Sequence, residues 1–129
     1  MTATLTAEVL IVDDEDGMLR ILGIILERAG FKPLFARNGK EALDAIKTYR
    51  PGVVILDDML PGGITGGDVC ARVKEDARLC NIPIIMHSAG VKIQSRSYLR
   101  EIGADAALFK PCHPTRILEA INGFLAVGA

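Results

Sequence analysis

The segment that most limits what this chain can become is Val53–Pro61, VVILDDMLP. Four β-favouring apolar residues run into two carboxylates, Asp57 and Asp58. Turn-forming residues bound the segment, Pro51-Gly52 before it and Pro61-Gly62-Gly63 after it. A short apolar run framed in this way reads as a strand buried on both faces. Such strands belong to parallel sheets covered by helices, where ligands gather at the carboxyl ends of the strands. Asp57 would stand at that end. A strand often ends in Asp simply because a carboxylate suits the solvated loop that follows, so the other strand ends have to carry the argument.

Similar short runs recur along the chain. Strands are expected at Glu8–Val12, Lys32–Ala36, Val53–Asp57, Pro83–His87 and Ala106–Phe109. Between them the pattern predicts a helix ending near Ala29, with Gly30 suited to the position just past it. Asn38-Gly39-Lys40-Glu41 has the pattern of a capping box and opens a helix to Tyr49. Thr65-Gly66-Gly67-Asp68 caps another, running to Glu75. A fourth helix is expected over Ile93–Ile102, stopping at Gly103, and a fifth from Pro114 to Leu125. Regular alternation of this kind demands a parallel sheet with right-handed crossovers and helices on both faces. Pro33 cannot complete a ladder on both sides, so the second strand belongs at an edge. The fold class follows: α/β, a (βα)5 doubly wound three-layer sandwich of the flavodoxin-like kind, strand order 2-1-3-4-5. Residues 1–129 read as one domain, with 1–7 a loose lead-in.

In that order the ends of strands one, three, four and five converge. They bring together Asp13 and Asp14, Asp57, Ser88 and Lys110. Three carboxylates so close cannot all stay ionised without compensation. Lys110 supplies one compensating charge. A hard divalent cation is the other, and Mg2+ (or Mn2+) suits an all-oxygen donor set without His or Cys. Metal, lysine and a hydroxyl around one carboxylate form a site for phosphoryl transfer, with Asp57 attacking in line. The resulting acyl phosphate would draw Ser88 and the loop behind it inward.

Charge and composition exclude other classes. The net charge is −1 with no polybasic tract, which gives a nucleic-acid or membrane-surface role no electrostatic support. The most apolar stretch, Met18–Leu26, is interrupted by Arg20 and is too short to span a bilayer. The first residues lack the charged start and apolar core of a secretory signal. Three cysteines without CxxC spacing fit reduced thiols in a cytoplasmic protein.

Four blocks, VLIVDDED, VVILDDMLP, IPIIMHSAG and GADAALFKP, resemble the signature blocks of the response-regulator receiver domain of two-component signalling (CheY-like), in the family order and over essentially the whole chain. The resemblance implies a phosphoacceptor switch rather than a turnover enzyme, taking its phosphoryl group from a phosphohistidine on a sensor kinase or a histidine phosphotransfer protein. The phosphoacceptor maps to Asp57 and the magnesium-supporting acidic pair to Asp13 and Asp14. A metal-binding carbonyl maps to Met59, the switch hydroxyl to Ser88, and the lysine before a usually cis proline to Lys110-Pro111. Output would be docking to a target protein, and homodimerisation stays open. Beside this stand two alternatives: a receiver-like binding module that is never phosphorylated, and an aspartyl-phosphate phosphatase of the haloacid dehalogenase kind. The latter has a second Asp two residues after the nucleophile, where this chain has Met59.

The sequence departs from the family in two places. The aromatic residue often found three positions before the lysine is Ala107, which implies a muted response around the fourth helix and fifth strand. The loop PGGITGG after the acceptor is slightly long. Asp58 should point away from Asp57. Met18 and Ile21 are either core residues or a docking surface for the phosphodonor. His87 reads as a half-buried structural histidine, and Cys112 and His113 receive no chemistry.

Overall fold

In the computed structural model, residues 6–127 are described; residues 1–5 of the expected 1–7 lead-in lie outside them. Five strands alternate with five helices: β1 Glu8–Val12, α1 Asp16–Arg28, β2 Lys32–Ala36, α2 Gly39–Tyr49, β3 Val53–Leu56, α3 Gly66–Glu75, β4 Ile84–Ser88, α4 Arg96–Ile102, β5 Ala106–Phe109 and α5 Pro114–Val127, with a 3-10 turn at Lys92–Gln94 before α4. The strands form one sheet in the order β2-β1-β3-β4-β5, and every pairing is parallel. This is the flavodoxin-like order expected from the alternation, with the Pro33 strand at an edge.

The pleat divides the core in two. Leu10, Val12, Val54, Leu56, Ile84 and Met86 face α2, α3 and α4. Val9, Ile11, Val53, Ile55, Ile85 and Leu108 face α1 and α5. β3 is buried on both faces at every position, as its unbroken apolar run requires. Each fully buried aliphatic side chain stabilises the fold by about 1.5 to 3 kcal/mol, so this strand is among the most firmly held in the molecule.

Several boundaries differ from the sequence reading, each for a local reason. β3 ends at Leu56 rather than Asp57, although the Asp57 amide still donates to the Val12 carbonyl at 3.0 Å. β4 is displaced by one residue to Ile84–Ser88, because Pro83 has no amide to pair and contributes only its carbonyl, to Val54. The fourth helix is broken at Ser95, whose extended backbone separates the 3-10 turn from α4 and whose hydroxyl caps α4 at the Tyr98 amide. α5 runs two residues further than expected, to Val127. At α2, Asn38 caps the Glu41 amide at 2.8 Å, but Glu41 reaches back to the Arg37 amide rather than to that of Asn38. The box at Thr65 and Asp68 is complete in both directions. α1 ends as expected, Gly30 taking a positive φ of 91° just past the cap.

Candidate phosphoacceptor site

The sheet order sets β1 and β5 on either side of the β3–β4 pair, so the site is assembled from loops far apart in sequence. Asp13 and Asp57 are buried where β1 and β3 end, while Asp14 beside them is exposed. One carboxylate oxygen from each of the three lies within 4.8 Å of the others. Lys110, one residue beyond β5, reaches between the two buried acids: its Nζ donates to Asp13 Oδ2 at 2.6 Å and to Asp57 Oδ2 at 2.8 Å. The peptide bond from Lys110 to Pro111 is cis, as the resemblance implied.

Burial alone would disfavour the Lys110 ammonium. The hydrogen bonds to Asp13 and Asp57 and the charges of both outweigh that penalty and hold its pKa above the ordinary lysine value. The remaining oxygens are also engaged. Asp13 Oδ1 accepts from the Glu15 amide at 2.9 Å, and Asp57 Oδ1 accepts from the Met59 amide at 3.0 Å. Met59 thus touches the acceptor through its N–H. Ser88 is fully buried and its Oγ accepts from the Gly90 amide at 3.1 Å, which leaves the hydroxyl proton free to be donated elsewhere. Gly90 lies between Ser88 and Met59: a Cβ placed on it would meet Ser88 Oγ and Met59 Sδ at 3.4 Å each.

Three carboxylates gathered at one point with a single ammonium leave an excess of negative charge and oxygen donors, which suits a hard cation. Nothing in the set favours a soft metal. Cys70 is buried in the core, where desolvation raises its thiol pKa to about 12, and His87 sits on β4 beneath the site. His87 is more deeply buried than expected, at 3% exposure. Burial, followed by the nearby Lys110 charge, pushes its pKa below the ordinary value.

The sequence singled out Asp13, Asp14, Asp57 and Lys110, and the structure brings all four together; Ser88 lies at the end of the adjoining strand. Asp58 points away from Asp57, as the strand period required, and its carboxylate is bound by the Gly67 amide and the Tyr98 hydroxyl. The Tyr98 contact escaped the sequence reading. The only trace of it is Gly67, whose missing side chain admits the phenol. Ala107 is partly buried and packs on the core. Of the two α1 candidates, Met18 packs against the core whereas Ile21 is 56% exposed, so only Ile21 is free to meet a partner. His113 acts as a cap for α5, its Nδ1 accepting from the Thr115 amide at 3.1 Å.

Comparison with known proteins agrees with this geometry. The family model described as "Response regulator receiver domain" matches residues 9–122. The polar-differentiation response regulator DivK of Brucella anthropi is 31% identical over 117 residues, covering 91% of this chain and 94% of DivK. The phosphate regulon transcriptional regulatory protein PhoB of Pseudomonas aeruginosa is 34% identical, but the match covers only 51% of PhoB. Among solved structures, the chemotaxis response regulator CheY4 of Vibrio cholerae superimposes with a TM-score of 0.85 at 27% identity, covering 94% of this chain and all of CheY4. The receiver domain of a signal transduction histidine kinase from Syntrophus aciditrophicus gives a TM-score of 0.86 at 29% identity, covering 95% of this chain and 92% of that domain. Fold, acidic pocket and family match converge, and the chain belongs to the response regulator receiver domain family of two-component signalling.

Proposed function

We propose that this receiver takes a phosphoryl group onto Asp57 from a phosphohistidine of a histidine kinase or histidine phosphotransfer protein, and signals by docking to a target protein. The observation that carries the reading is the Lys110 ammonium bonded to both Asp13 and Asp57, with Asp14 within the same cluster. Asp13, Asp14 and Asp57, together with the Met59 carbonyl, would hold Mg2+ or Mn2+. The cation, when bound, supplies positive charge for the phosphoryl oxygens.

The chain's own residues do the rest. An Asp57 carboxylate oxygen attacks phosphorus and the P–N bond to the donor imidazole breaks. The electron pair stays on that nitrogen, which then takes a proton. Lys110 is already desolvated and aimed at Asp57, so it neutralises charge on a non-bridging oxygen without reorganising. Ser88 donates its free proton to another oxygen. The product adds roughly 1.5 to 2 negative charges beside a buried strand end, enough to recruit Ser88 and the loop behind it. The exposed Ile21 on α1 is a contact for the donor protein. No described helix is long and apolar enough to cross a membrane. Membership of the receiver family supports a cytoplasmic setting.

The test is incubation with phosphoramidate, which carries the same P–N bond, in the presence of Mg2+. Label that is destroyed by hydroxylamine and absent from Asp57→Asn supports the assignment. Label that persists in that variant, or forms equally well in the presence of chelator, rejects it.

A further inference from the structure

Asp58 follows the acceptor directly and fastens it to a different part of the molecule. Its buried Oδ1 accepts two hydrogen bonds, from the Gly67 amide and from the Tyr98 hydroxyl, each at 2.8 Å. Its backbone carbonyl accepts from the Gly66 amide at 2.9 Å. One residue therefore ties the end of β3 to the start of α3 and to α4. Two glycines make the approach feasible. A Cβ on Gly66 would overlap the Asp57 carbonyl, and one on Gly67 would overlap the Tyr98 hydroxyl. Glycine inside a helix weakens it by about 0.5 to 1 kcal/mol, so the pair in the first turn of α3 sacrifices local stability for contact.

Tyr98 is joined to the site by a second route. The Lys92 ammonium lies 5.9 Å from the centre of its ring, and Lys92 belongs to the segment that follows Ser88 and Gly90. Helix α4 is weakly fixed in other respects. It has seven residues, of which Ile102 alone is buried, and a helix that short has little stability of its own. Among the described residues, Tyr98 to Asp58 is the only side-chain hydrogen bond from α4 to another element. Burial, and then the bond to Asp58, raise the phenol pKa, so Tyr98 remains a donor throughout the physiological range.

We propose that the Tyr98–Asp58 bond is a latch holding α4 to the acceptor strand, and that it opens when Asp57 carries a phosphoryl group. This rests on the phosphoacceptor reading. Charge arriving on Asp57 draws in Ser88 and the segment behind it, and Lys92 travels with that segment. Tyr98, held at its hydroxyl by Asp58 and over its ring by Lys92, cannot follow both. The bond yields and α4 shifts, so the muted response that Ala107 implied for α4 and β5 together is confined to β5.

A latch present only in the unloaded state opposes loading, and coupling of this kind is reciprocal. Tyr98→Phe, which lacks the hydroxyl, should bind beryllofluoride with Mg2+ about 5-fold more tightly or better than the parent, at the low end of usual couplings. A merely structural tyrosine would give equal or weaker binding, and that result overturns the latch. Amide NMR reads the two halves separately. Shifts at Ser88 and Lys110 report loading, and shifts over Arg96–Ile102 report α4. Loading without movement of α4 overturns the latch and leaves the acceptor assignment standing; absence of any shift at Ser88 and Lys110 removes both. A second measurement does not depend on altering Tyr98. The chain has two tyrosines and no tryptophan, so in Tyr49→Phe the emission is that of Tyr98 alone. A carboxylate acceptor quenches tyrosine, so emission should rise on loading, with the same midpoint as the amide shifts; unchanged emission overturns the latch.

Discussion

Replacing Lys110 with Met tests the electrostatic core of the site most directly. In the parent, the Lys110 side chain is 11% exposed and its ammonium joins Asp13 and Asp57, whose side chains are 2% and 5% exposed. Its raised pKa shows that attraction to the two acids exceeds the burial penalty, so the cluster favours the charged lysine. Removing one member of a buried ionic group leaves the others uncompensated, which costs about 3 to 5 kcal/mol. Taking a urea m-value of about 2 kcal/mol/M for a domain of this size, the unfolding midpoint should fall by roughly 1.5 to 2.5 M. The sign with pH follows from the raised pKa: the contribution is fully present below the unfolded lysine value, about 10.4, and is lost only as pH rises through the folded value. The deficit should therefore be constant between about pH 7 and 9. Mg2+ should return part of it, since a ligand at about 100 times its dissociation constant stabilises by about 2.7 kcal/mol, and it should help the variant more than the parent. Adding Asp57→Asn to Lys110→Met should also recover stability, because it removes one of the stranded charges. Urea titrations monitored by far-UV circular dichroism, with and without Mg2+, measure all three proteins. A midpoint for Lys110→Met within about 0.3 M of the parent, or a double variant weaker than the single one, would refute this reasoning.

Three further outcomes are expected. The Cys70 thiol, buried and raised to about 12, should resist an aromatic disulfide reagent at pH 8 while the partly exposed Cys80 and Cys112 react; three fast equivalents in the folded protein would contradict its placement. His87 has a depressed pKa in the folded state, so its contribution is intact above about pH 6.5, the unfolded value, and declines as pH falls below it; His87→Gln should flatten the stability profile over that acidic window, and an unchanged slope would show that other groups control it. Gly66→Ala forces a methyl group into the Asp57 carbonyl and should destabilise by about 1 to 3 kcal/mol or more, whereas the same change at Gly17, which meets nothing within 4 Å, should be neutral or favourable in thermal melts.

How much was legible in advance can be judged from particular residues. The two-sided burial of Val53–Leu56 follows from its composition, because an unbroken apolar run has no polar face to offer water. Pro33 placed its strand at an edge through the missing amide, and the sheet has it there. The convergence of Asp13, Asp14, Asp57 and Lys110 followed from strand order alone, since parallel strands deliver their carboxyl ends to one rim. The errors lay where local signals compete. Ser95 interrupts what periodicity presented as one helix, because its hydroxyl satisfies the Tyr98 amide and starts the helix afresh. Glu41 prefers the Arg37 amide although the letters match a reciprocal box.

Periodicity and residue chemistry, which act over a few positions, determined the alternation of elements, the parallel sheet and the acids at its rim. They could not determine that Asp58 binds Tyr98, forty residues away, or that Met59 meets the acceptor through its amide. Those contacts depend on side-chain direction and on the space left by Gly66 and Gly67, and distances of that kind exist only once the helices have packed onto the sheet.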